Sequence, residues 1–402
     1  MPVLVCTGCS SGLGALVLRQ LVDLVASSSP ATSSTPSPHW TILAGVRSTA
    51  PSDLVALAHP RFSCVDLQWL PLDLARLDSV RTFAQQVALE LEHRGLRRID
   101  ALLLNAACWK RSFHGIRVRD GDGQHVWAEE AFVNHFSQHY LVHLLLPLLV
   151  ALPPATSSAP PDPSSRARII YTTSSLQNSI QSLDDLLPIL TDPSCPQSDK
   201  ERYAASKLAQ TVGFHAWKQH FVENETPVDL VAVSPGFVPT TRLSRESSFI
   251  ARWIMRHVIY WFPFCSTEER GEYFYLSPPP ARGAQRLLRC VPGLPAPAPC
   301  SSPAPDPSPP RVPTPRPSDP LAPRLAATRS SPSTLLYVLD PERGEAGQRA
   351  PHPALAEGLG AAGDPARRVG WRTSEALEAW ADAQEQEQEQ EQEQGQGQGQ
   401  GQ

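Results

Sequence analysis

The sequence of 402 residues predicts an α/β fold, a doubly wound parallel sheet with helices on both faces. Three observations lead to this prediction. Strand-like and helix-like segments alternate along most of the chain. The strand-like segments are continuous apolar runs, as expected for strands that are buried on both faces of a sheet. Glycine-rich or polar sequences follow these runs, at the edge where such sheets bind ligands.

The predicted strands share one pattern, a short apolar run that stops at a glycine or a polar residue. In chain order they are PVLVC, WTILAGV, QWLPLD, IDALLLN, ARIIYTTS and VDLVAVS, at residues 2–6, 40–46, 68–73, 99–105, 167–174 and 228–234. A further run at residues 333–340 predicts a last strand that returns to the sheet.

Helices are predicted between the strands, where apolar residues recur at helical spacing. One of them also closes with a basic turn and a glycine, a common helix ending. In chain order the predicted helices cover residues 12–26, 51–58, 75–95, 126–150, a segment that contains Tyr203 and runs to about 222, and 373–383.

Composition separates one ordered domain from segments that cannot form a core. Residues 1–277 carry the alternating elements. The proline-rich residues 278–332 are an insertion that we expect to be disordered. Residues 333–383 supply the last strand and a final helix that complete the domain, and the Glu/Gln/Gly-rich tail 384–402 is predicted to be unstructured.

Charge and cysteine content exclude several classes of protein. A net charge of −5 gives no electrostatic footprint for nucleic acid. Eight cysteines in so long a chain do not indicate a disulfide framework and fit a reducing compartment. The N-terminus lacks the pattern of a signal peptide, and no apolar stretch has the roughly 20 residues of a membrane-spanning helix. We therefore expect a cytoplasmic protein without a transmembrane segment.

The first strand is followed by TGCSSGLG, residues 7–14. Its glycines let the backbone turn tightly and approach a ligand, and the N-terminus of the next helix attracts an anion such as a diphosphate. The spacing differs from the G-x-G-x-x-G dinucleotide pattern, so a purely structural turn is the alternative. The candidate cofactor-binding residues of this turn are Gly8, Ser10, Ser11, Gly12, Leu13 and Gly14.

Arg47 follows the second strand, where folds that prefer NAD place an acidic residue against the ribose hydroxyls. This strand end has no acid. Its arginine is suited to pair with the 2′-phosphate of NADP, with Ser10 or Ser11 helping. An ordinary surface arginine is the alternative. The charge favours NADP(H) as the cofactor.

Tyr203 and Lys207 stand four apart in YAASK, which puts both side chains on one face of a helix. Taken alone, such a pair is typical of a solvated helix surface. An ammonium ion nearby also favours the phenolate form of a tyrosine, whose ordinary pKa is about 10. The pair is therefore a candidate for proton transfer, provided that other polar groups lie beside it.

The motifs at the strand ends and on the helix of Tyr203, in their order along the chain, resemble those of the short-chain dehydrogenase/reductase family. The resemblance covers roughly residues 2–277 and is greatest to fungal members that act on secondary metabolites, with retinol and steroid reductases more distant. It implies a Rossmann-type sheet that binds NAD(P)(H) and interconverts an alcohol and a carbonyl. The matching motifs are TGCSSGLG, PLDL, NAA, VNH, TTSS, YAASK and SPGFVPTT.

The resemblance implies a role for each of four catalytic residues. Tyr203 is the implied general acid for the substrate oxygen. Lys207, together with the positive charge of the oxidised nicotinamide, lowers the pKa of that tyrosine, and it also binds the nicotinamide ribose. Ser174 hydrogen-bonds the substrate oxygen, and Asn134 holds a water of the proton relay.

Tyr203 and Lys207 are implied to contact the cofactor as well, and so are five further residues. Asp73 reaches the adenine edge, Leu74 beside it is a cofactor contact, and Asn105 anchors the strand beside the cofactor. The backbone at Val238 binds the carboxamide, and Thr240 contacts the carboxamide and the diphosphate.

Three features depart from the family pattern. Ala107 stands where the family usually has glycine, which implies a slightly tighter wall at the cofactor. The link from Ser174 to Tyr203 is longer than the family's shortest form, so residues 182–190 are expected to fold as a loop or helix near the mouth of the site. The insertion at 278–332 interrupts the C-terminal end of the domain.

Two other clusters suggest different chemistry. Cys6 and Cys9 form a C-x-x-C sequence, but a buried Cys6 and a glycine turn with its own task argue against redox or metal chemistry. His135, His139 and His143 share one helix face without an evident acidic partner. We expect that helix to be packed or to face another subunit, and no metal to bind.

Residues 247–264 carry apolar residues at helical spacing, with arginines between them. The segment fits a core helix, a mobile lid over an apolar substrate, or a helix on a membrane surface. Its periodicity does not distinguish these.

The sequence as a whole predicts an NADP(H)-dependent oxidoreductase that acts on a bulky apolar ketone or secondary alcohol, in secondary metabolism by resemblance. A steroid- or retinoid-like lipid ketone is an alternative substrate, and a catalytically idle NADP-binding scaffold is an alternative function. The family commonly forms homodimers or homotetramers through the helices that hold Asn134 and Tyr203.

Overall fold

A computed structural model of the chain describes residues 1–27, 39–48, 64–120, 123–151, 166–180, 185–235, 291, 338–339 and 346–347. Several predictions lie outside these residues. They are the helices at 51–58 and 373–383, the segment 247–264, the insertion 278–332 apart from Val291, the tail 384–402, Val238 and Thr240. Val291 is buried in the hydrophobic core beside the first helix.

The described strands form one main sheet and one separate hairpin. The main sheet runs in the order β10-β9-β8-β7-β4-β1-β2-β3 and is parallel except where β10 meets β9. The hairpin is the antiparallel pair β5 and β6. The strands are β1 Val3–Thr7, β2 Trp40–Val46, β3 Val65–Pro71, β4 Ala101–Leu104, β5 Gly115–Asp120, β6 Gly123–Ala128, β7 Ala167–Thr172, β8 Val228–Val233, β9 Val338–Leu339 and β10 Ala346–Gly347.

The described helices connect the strands of the main sheet. One of them, α3, is continuous over Glu129–Ala131, a π-helical turn at Phe132–Phe136, and Ser137–Val150. A 3₁₀ turn at Ser175–Ser179 follows β7. The remaining helices are α1 Gly12–Ser27, α2 Leu77–His93, α4 Leu186–Thr191 and α5 Asp199–Glu223.

The doubly wound sheet and its six central parallel strands are confirmed. The predicted helix over 126–150 begins too early, because residues 126–128 belong to β6 and pair with 115–117 of β5. The apolar residues of that stretch fit either period, so the helical interpretation ran three residues into a strand. The hairpin itself was not predicted, although its turn region contains Asp-Gly, a common hairpin signal.

Apolar residues fill both faces of the main sheet, which explains why the strands read as continuous apolar runs. On one face α2, α3 and α5 cover a cluster that includes Phe83, Tyr140 and Trp217. On the other face α1 packs with Leu18 and Leu21 against strand residues such as Trp40. Burial on both sides accounts for a parallel sheet rather than a half-exposed antiparallel one.

The strand order places a ligand crevice between β1 and β4. The chain moves outward from β1 to β2 and β3 in one direction, and from β4 to β7 and β8 in the other. The chain leaves the carboxyl end of β1 toward one face of the sheet and the carboxyl end of β4 toward the other. This opens a crevice between the two strand ends. The predicted glycine-rich turn and Asn105 follow these two strands.

The outer face of α5 is covered by the chain itself. Ala204, Ala205 and Leu208 are buried in a cluster with Ile189 and Leu190 of α4. Among the residues described, no helix is both long and apolar enough to cross a membrane.

Candidate active site

The glycine-rich turn is packed directly against the end of β4. Gly8 has φ of 66°, a backbone conformation that side chains disfavour, and a Cβ there would lie 2.5 Å from Cα of Ala106. A Cβ at Gly14 would lie 2.4 Å from the carbonyl oxygen of Gly8. The turn can therefore close tightly only with glycine at both positions, and it brings the N-terminus of α1 to the crevice.

Asn105 joins the ends of three strands. Its Nδ2 donates to the carbonyl of Gly8 at 2.9 Å, and its Oδ1 accepts from Thr172 Oγ1 at 3.3 Å. These bonds connect the turns after β1 and β4 to β7. The structural role implied by the resemblance, an anchor beside the cofactor crevice, has this geometric basis.

The other predicted cofactor residues lie along the same edge of the sheet. Arg47 is exposed just after β2, and Ser10 and Ser11 are half-buried in the glycine-rich turn. Asp73 accepts from the backbone N–H of Ala75 at 3.1 Å through one carboxylate oxygen. The carbonyl of Leu74 accepts from Ser137 Oγ, which ties the β3 end to α3. Gly12 and Leu13 open α1.

Asn134 lies in the π-helical turn of α3 and is fully buried. Its Oδ1 accepts from the N–H of Cys108 at 2.8 Å, and its Nδ2 donates to the carbonyl of Cys108 at 3.0 Å. Nδ2 also donates to Ser206 Oγ at 2.9 Å. The side chain thus holds the loop after β4 against α5, although these two parts of the chain are distant in sequence.

The structure brings Ser174 and Tyr203 together. Ser174 caps the 3₁₀ turn after β7, where its Oγ accepts from the N–H of Leu176 at 3.3 Å. Its hydroxyl also hydrogen-bonds the phenol of Tyr203, and that bond lowers the pKa of the tyrosine. The pair joins the end of β7 to α5.

Burial dominates the electrostatics of Tyr203, whose side chain is 5% exposed. Burial raises the pKa of this phenol well above its usual 10, against the opposing effect of the Ser174 hydrogen bond. The phenol is therefore protonated at neutral pH in the free protein, the form that donates a proton.

Lys207 lies one helix turn after Tyr203 and is only 1% exposed. Its Nζ donates to the carbonyl of Thr172 at 2.9 Å and to Gln210 Oε1 at 3.1 Å. Burial lowers the pKa of Lys207 to about 7. Whether its charge lowers the pKa of Tyr203, as the resemblance implies, stays a prediction for the cofactor-bound protein.

Two amide side chains beside Lys207 were not predicted from the sequence. Gln210 Nε2 donates to Gln138 Oε1 at 2.9 Å, and Gln138 Nε2 donates to the carbonyl of Ala106 at 2.6 Å. The signal was their spacing, since Gln210 follows Lys207 by three residues and Gln138 follows Asn134 by four. Two polar residues on apolar helix faces could have been recognised by that spacing.

The loop residues beside Tyr203 were also not predicted from the sequence. The ring of Trp109 stacks on the ring of Tyr203, with centroids 4.8 Å apart and planes 13° apart. The backbone of Lys110 is bound by the side chains of Glu130 and Arg202. No local pattern marks these contacts, because each joins residues that are far apart in the chain.

The cysteine and histidine clusters are internal to the fold. Cys6 and Cys9 are both buried, and the pKa of Cys6 is raised by its hydrogen bond with Cys9 and by burial. The rings of His135 and His139 lie 4.6 Å apart and are buried where Gly213 of α5 leaves room for them. Burial lowers the pKa of His139 well below its usual 6.5, as for a neutral packed imidazole.

The chain is 32% identical over 250 residues to a short-chain dehydrogenase/reductase of Pestalotiopsis microspora, a match that covers 60% of this chain and 72% of that protein. The chain belongs to the short-chain dehydrogenase/reductase family. No protein-family model matches it. Membership shows an oxidoreductase that acts on CH–OH and C=O groups, with a Rossmann-like fold.

Solved structures of short-chain dehydrogenases/reductases resemble the fold at low identity. An NADPH-bound carbonyl reductase from chicken fatty liver is 20% identical with a TM-score of 0.40, and the match covers 60% of this chain and 78% of that one. An NADH-dependent reductase, A1-R′, complexed with NAD is 15% identical with a TM-score of 0.39, covering 59% and 78%. A carbonyl reductase of Caenorhabditis elegans is 23% identical with a TM-score of 0.39, covering 61% and 89%.

Proposed function

We propose that the protein is an NADP(H)-dependent reductase that interconverts a bulky apolar ketone and its secondary alcohol, with a role in secondary metabolism as the sequence resemblance implies. The observation that carries the proposal is the buried contact of Ser174 with Tyr203, one helix turn from Lys207, at the carboxyl ends of β7 and β4. A phenol, a hydroxyl and an amine meet at the edge where this fold binds ligands.

The residues of the crevice fit a dinucleotide. The tight glycine turn presents the N-terminus of α1, whose first backbone N–H groups suit a diphosphate. Exposed Arg47 and the nearby hydroxyls of Ser10 and Ser11 suit a 2′-phosphate. Asp73, Leu74 and Asn105 border the same crevice, and Val238 and Thr240 are proposed to complete it. A bound nicotinamide supplies the hydride.

The side chains manage the substrate oxygen and one proton. Tyr203, kept protonated by burial, gives its Oη proton to the substrate oxygen as negative charge develops there. Ser174 orients that oxygen and stabilises the phenolate that remains. Lys207, held by Thr172 and Gln210, is placed to bind the ribose and to favour the phenolate. Asn134 fixes the loop around the site and is proposed to support the water relay.

Tyr203→Phe tests the proposal because it removes one oxygen from a buried ring. We expect the variant to bind NADPH with unchanged affinity in a fluorescence titration, and to lose carbonyl reduction by about two to four orders of magnitude in kcat, as when a general acid is removed. The substrates are a panel of bulky apolar ketones.

The matched control is Tyr171→Phe, which removes the oxygen of another buried tyrosine, one whose ring packs against His139 and Phe214. This control should keep its activity. A wild-type protein that binds NADPH but reduces no ketone of the panel would instead support the idle-scaffold alternative.

A further inference from the structure

In the loop between β4 and β5, buried side chains bind the backbone of the two residues that flank Trp109. Asn134 binds both the N–H and the carbonyl of Cys108, at 2.8 and 3.0 Å. Two residues later, Glu130 Oε1 accepts from the N–H of Lys110 at 3.1 Å, and Arg202 Nη2 donates to the carbonyl of Lys110 at 2.9 Å. Four backbone groups of a three-residue segment are thus held by buried side chains.

The second of these attachments is a buried ion pair. Glu130 is fully buried and Arg202 is 6% exposed, with Arg202 Nε 3.5 Å from Glu130 Oε1. Two charges removed from water contribute little net stability, because desolvation offsets most of their attraction. The pair is therefore better explained by what it positions, namely the backbone of Lys110.

The residue between the two attachments is Trp109. Its indole stacks on the phenol ring of Tyr203, with centroids 4.8 Å apart and planes 13° apart. Trp109 as a whole is only partly buried, although its indole Nε1 is enclosed. The two rings lie in nearly parallel planes, so the indole covers one face of the ring whose hydroxyl is proposed to act on the substrate.

We propose that Trp109 is a substrate-contact residue that selects flat, conjugated carbonyl compounds over saturated ones of the same skeleton. The inference rests on the proposed function only in taking Tyr203 as the group that receives the carbonyl. A planar aromatic group lies in the plane of its conjugated carbonyl and can lie along the indole. A saturated ring system is puckered and makes fewer contacts with the same wall. The fixed loop keeps the wall in place without an entropic cost at binding.

The test compares 2-acetonaphthone, whose acetyl group lies in the plane of its rings, with 2-acetyldecalin, its saturated counterpart. In Trp109→Leu we expect the ratio of kcat/KM for these two ketones to fall about tenfold, since an aromatic pair contributes up to about 1.5 kcal/mol beyond its buried area. Trp109→Phe, which keeps a flat ring, should retain most of the preference.

A second measurement does not depend on turnover. Naphthamide is flat, and its amide carbonyl is not reduced. In calorimetric titrations with NADPH present, its dissociation constant should rise about tenfold in Trp109→Leu and much less in Trp109→Phe. The matched control is Trp127→Leu, which removes a partly buried indole that packs on Phe136 of α3. It should change neither the ratio nor the dissociation constant.

The outcomes separate this inference from the proposed function. If the wild type reduces neither ketone but naphthamide binding depends on Trp109, the proposed function is wrong and the contact of Trp109 with flat ligands is confirmed. If the wild type reduces both ketones while Trp109→Leu leaves the ratio and naphthamide binding unchanged, the proposed role of Trp109 is wrong and the proposed function is supported. A Trp109→Leu variant that reduces both ketones faster would show that the indole obstructs the site, which also overturns the inference.

Discussion

At the scale of single residues, burial sets the protonation of the two central groups in opposite ways. It raises the pKa of the Tyr203 phenol and lowers the pKa of the Lys207 ammonium to about 7. Both shifts favour the neutral form, as expected when charge is moved out of water. In the free protein the site is thus poised as a protonated phenol beside an amine that titrates near neutrality.

Lys207 should make stability depend on pH. Its folded pKa of about 7 lies below the ordinary lysine value of 10.5, so the unfolded chain binds more protons between these values. The contribution of this group to the free energy of unfolding therefore rises with pH across that window. We expect the free energy of unfolding of Lys207→Met, relative to that of the wild type, to be highest near pH 7 and to fall progressively toward pH 10.

Urea unfolding at several pH values measures this difference. The control is Lys200→Met, because Lys200 is an exposed lysine on the same helix. A constant difference for Lys207→Met would mean that the buried lysine keeps an ordinary pKa.

Arg47 should determine the preference between the two cofactors. We expect Arg47→Ala to weaken NADPH binding about tenfold and to leave NADH binding unchanged, because one charge-assisted hydrogen bond to the 2′-phosphate is lost, about 1.5 kcal/mol. Fluorescence titrations of both cofactors measure this. Equal affinities of the wild type for NADPH and NADH would contradict the assignment, and Arg19→Ala on α1 is a control for net charge.

At the scale of elements, α5 carries the proposed chemistry in its first turns, so its N-terminus matters for more than stability. Ser198 Oγ accepts from the N–H of Glu201 at 3.2 Å, and the N–H of Ser198 donates to Glu201 Oε2 at 2.9 Å. This capping box fixes where the helix begins. Tyr203 and Lys207 follow within the next two turns.

Removing the cap should be measurable in unfolding. We expect Ser198→Ala to lower the free energy of unfolding by about 1 kcal/mol, since N–H groups at the helix start lose their acceptor. Ser194→Ala is the matched control, because Ser194 is also exposed and bonds Asp192 but does not cap a long helix. Equal losses in both variants would argue that the capping box adds nothing.

At the scale of the whole molecule, the covered face of α5 bears on self-association. The resemblance implies dimers or tetramers built on the helices of Asn134 and Tyr203. In this chain, the 3₁₀ turn after β7 and α4 bury Ala204, Ala205 and Leu208 of α5. The longer link between Ser174 and Tyr203 thus occupies a helix face that would otherwise be open to a partner.

Leu208→Ala distinguishes an internal contact from a subunit interface. We expect a loss of about 2–5 kcal/mol in the free energy of unfolding, the usual range for a buried leucine, with no change in mass by light scattering. Leu89→Ala on α2 is the control, because Leu89 is 62% exposed and should cost little. A fall in mass for Leu208→Ala would instead place the leucine between subunits.

The amino-acid sequence by itself determined the parallel sheet, the succession of its strands along the chain and the residues that follow each strand. Apolar runs and helical spacing are local patterns, and the glycine-rich turn, Asn105, Ser174 and the Tyr203–Lys207 pair follow from residue type and position. The sequence therefore supported both the fold and the family before any contact was known.

Only the tertiary structure decided which side chains meet across the chain. Asn134 reaches the backbone of Cys108, Gln138 pairs with Gln210, and Trp109 lies on Tyr203, although these partners are separated by 26 residues or more. Such contacts depend on how elements pack, and no local spacing encodes that. The β5–β6 hairpin was missed for a related reason, because pairing between strands rather than residue periodicity defines it.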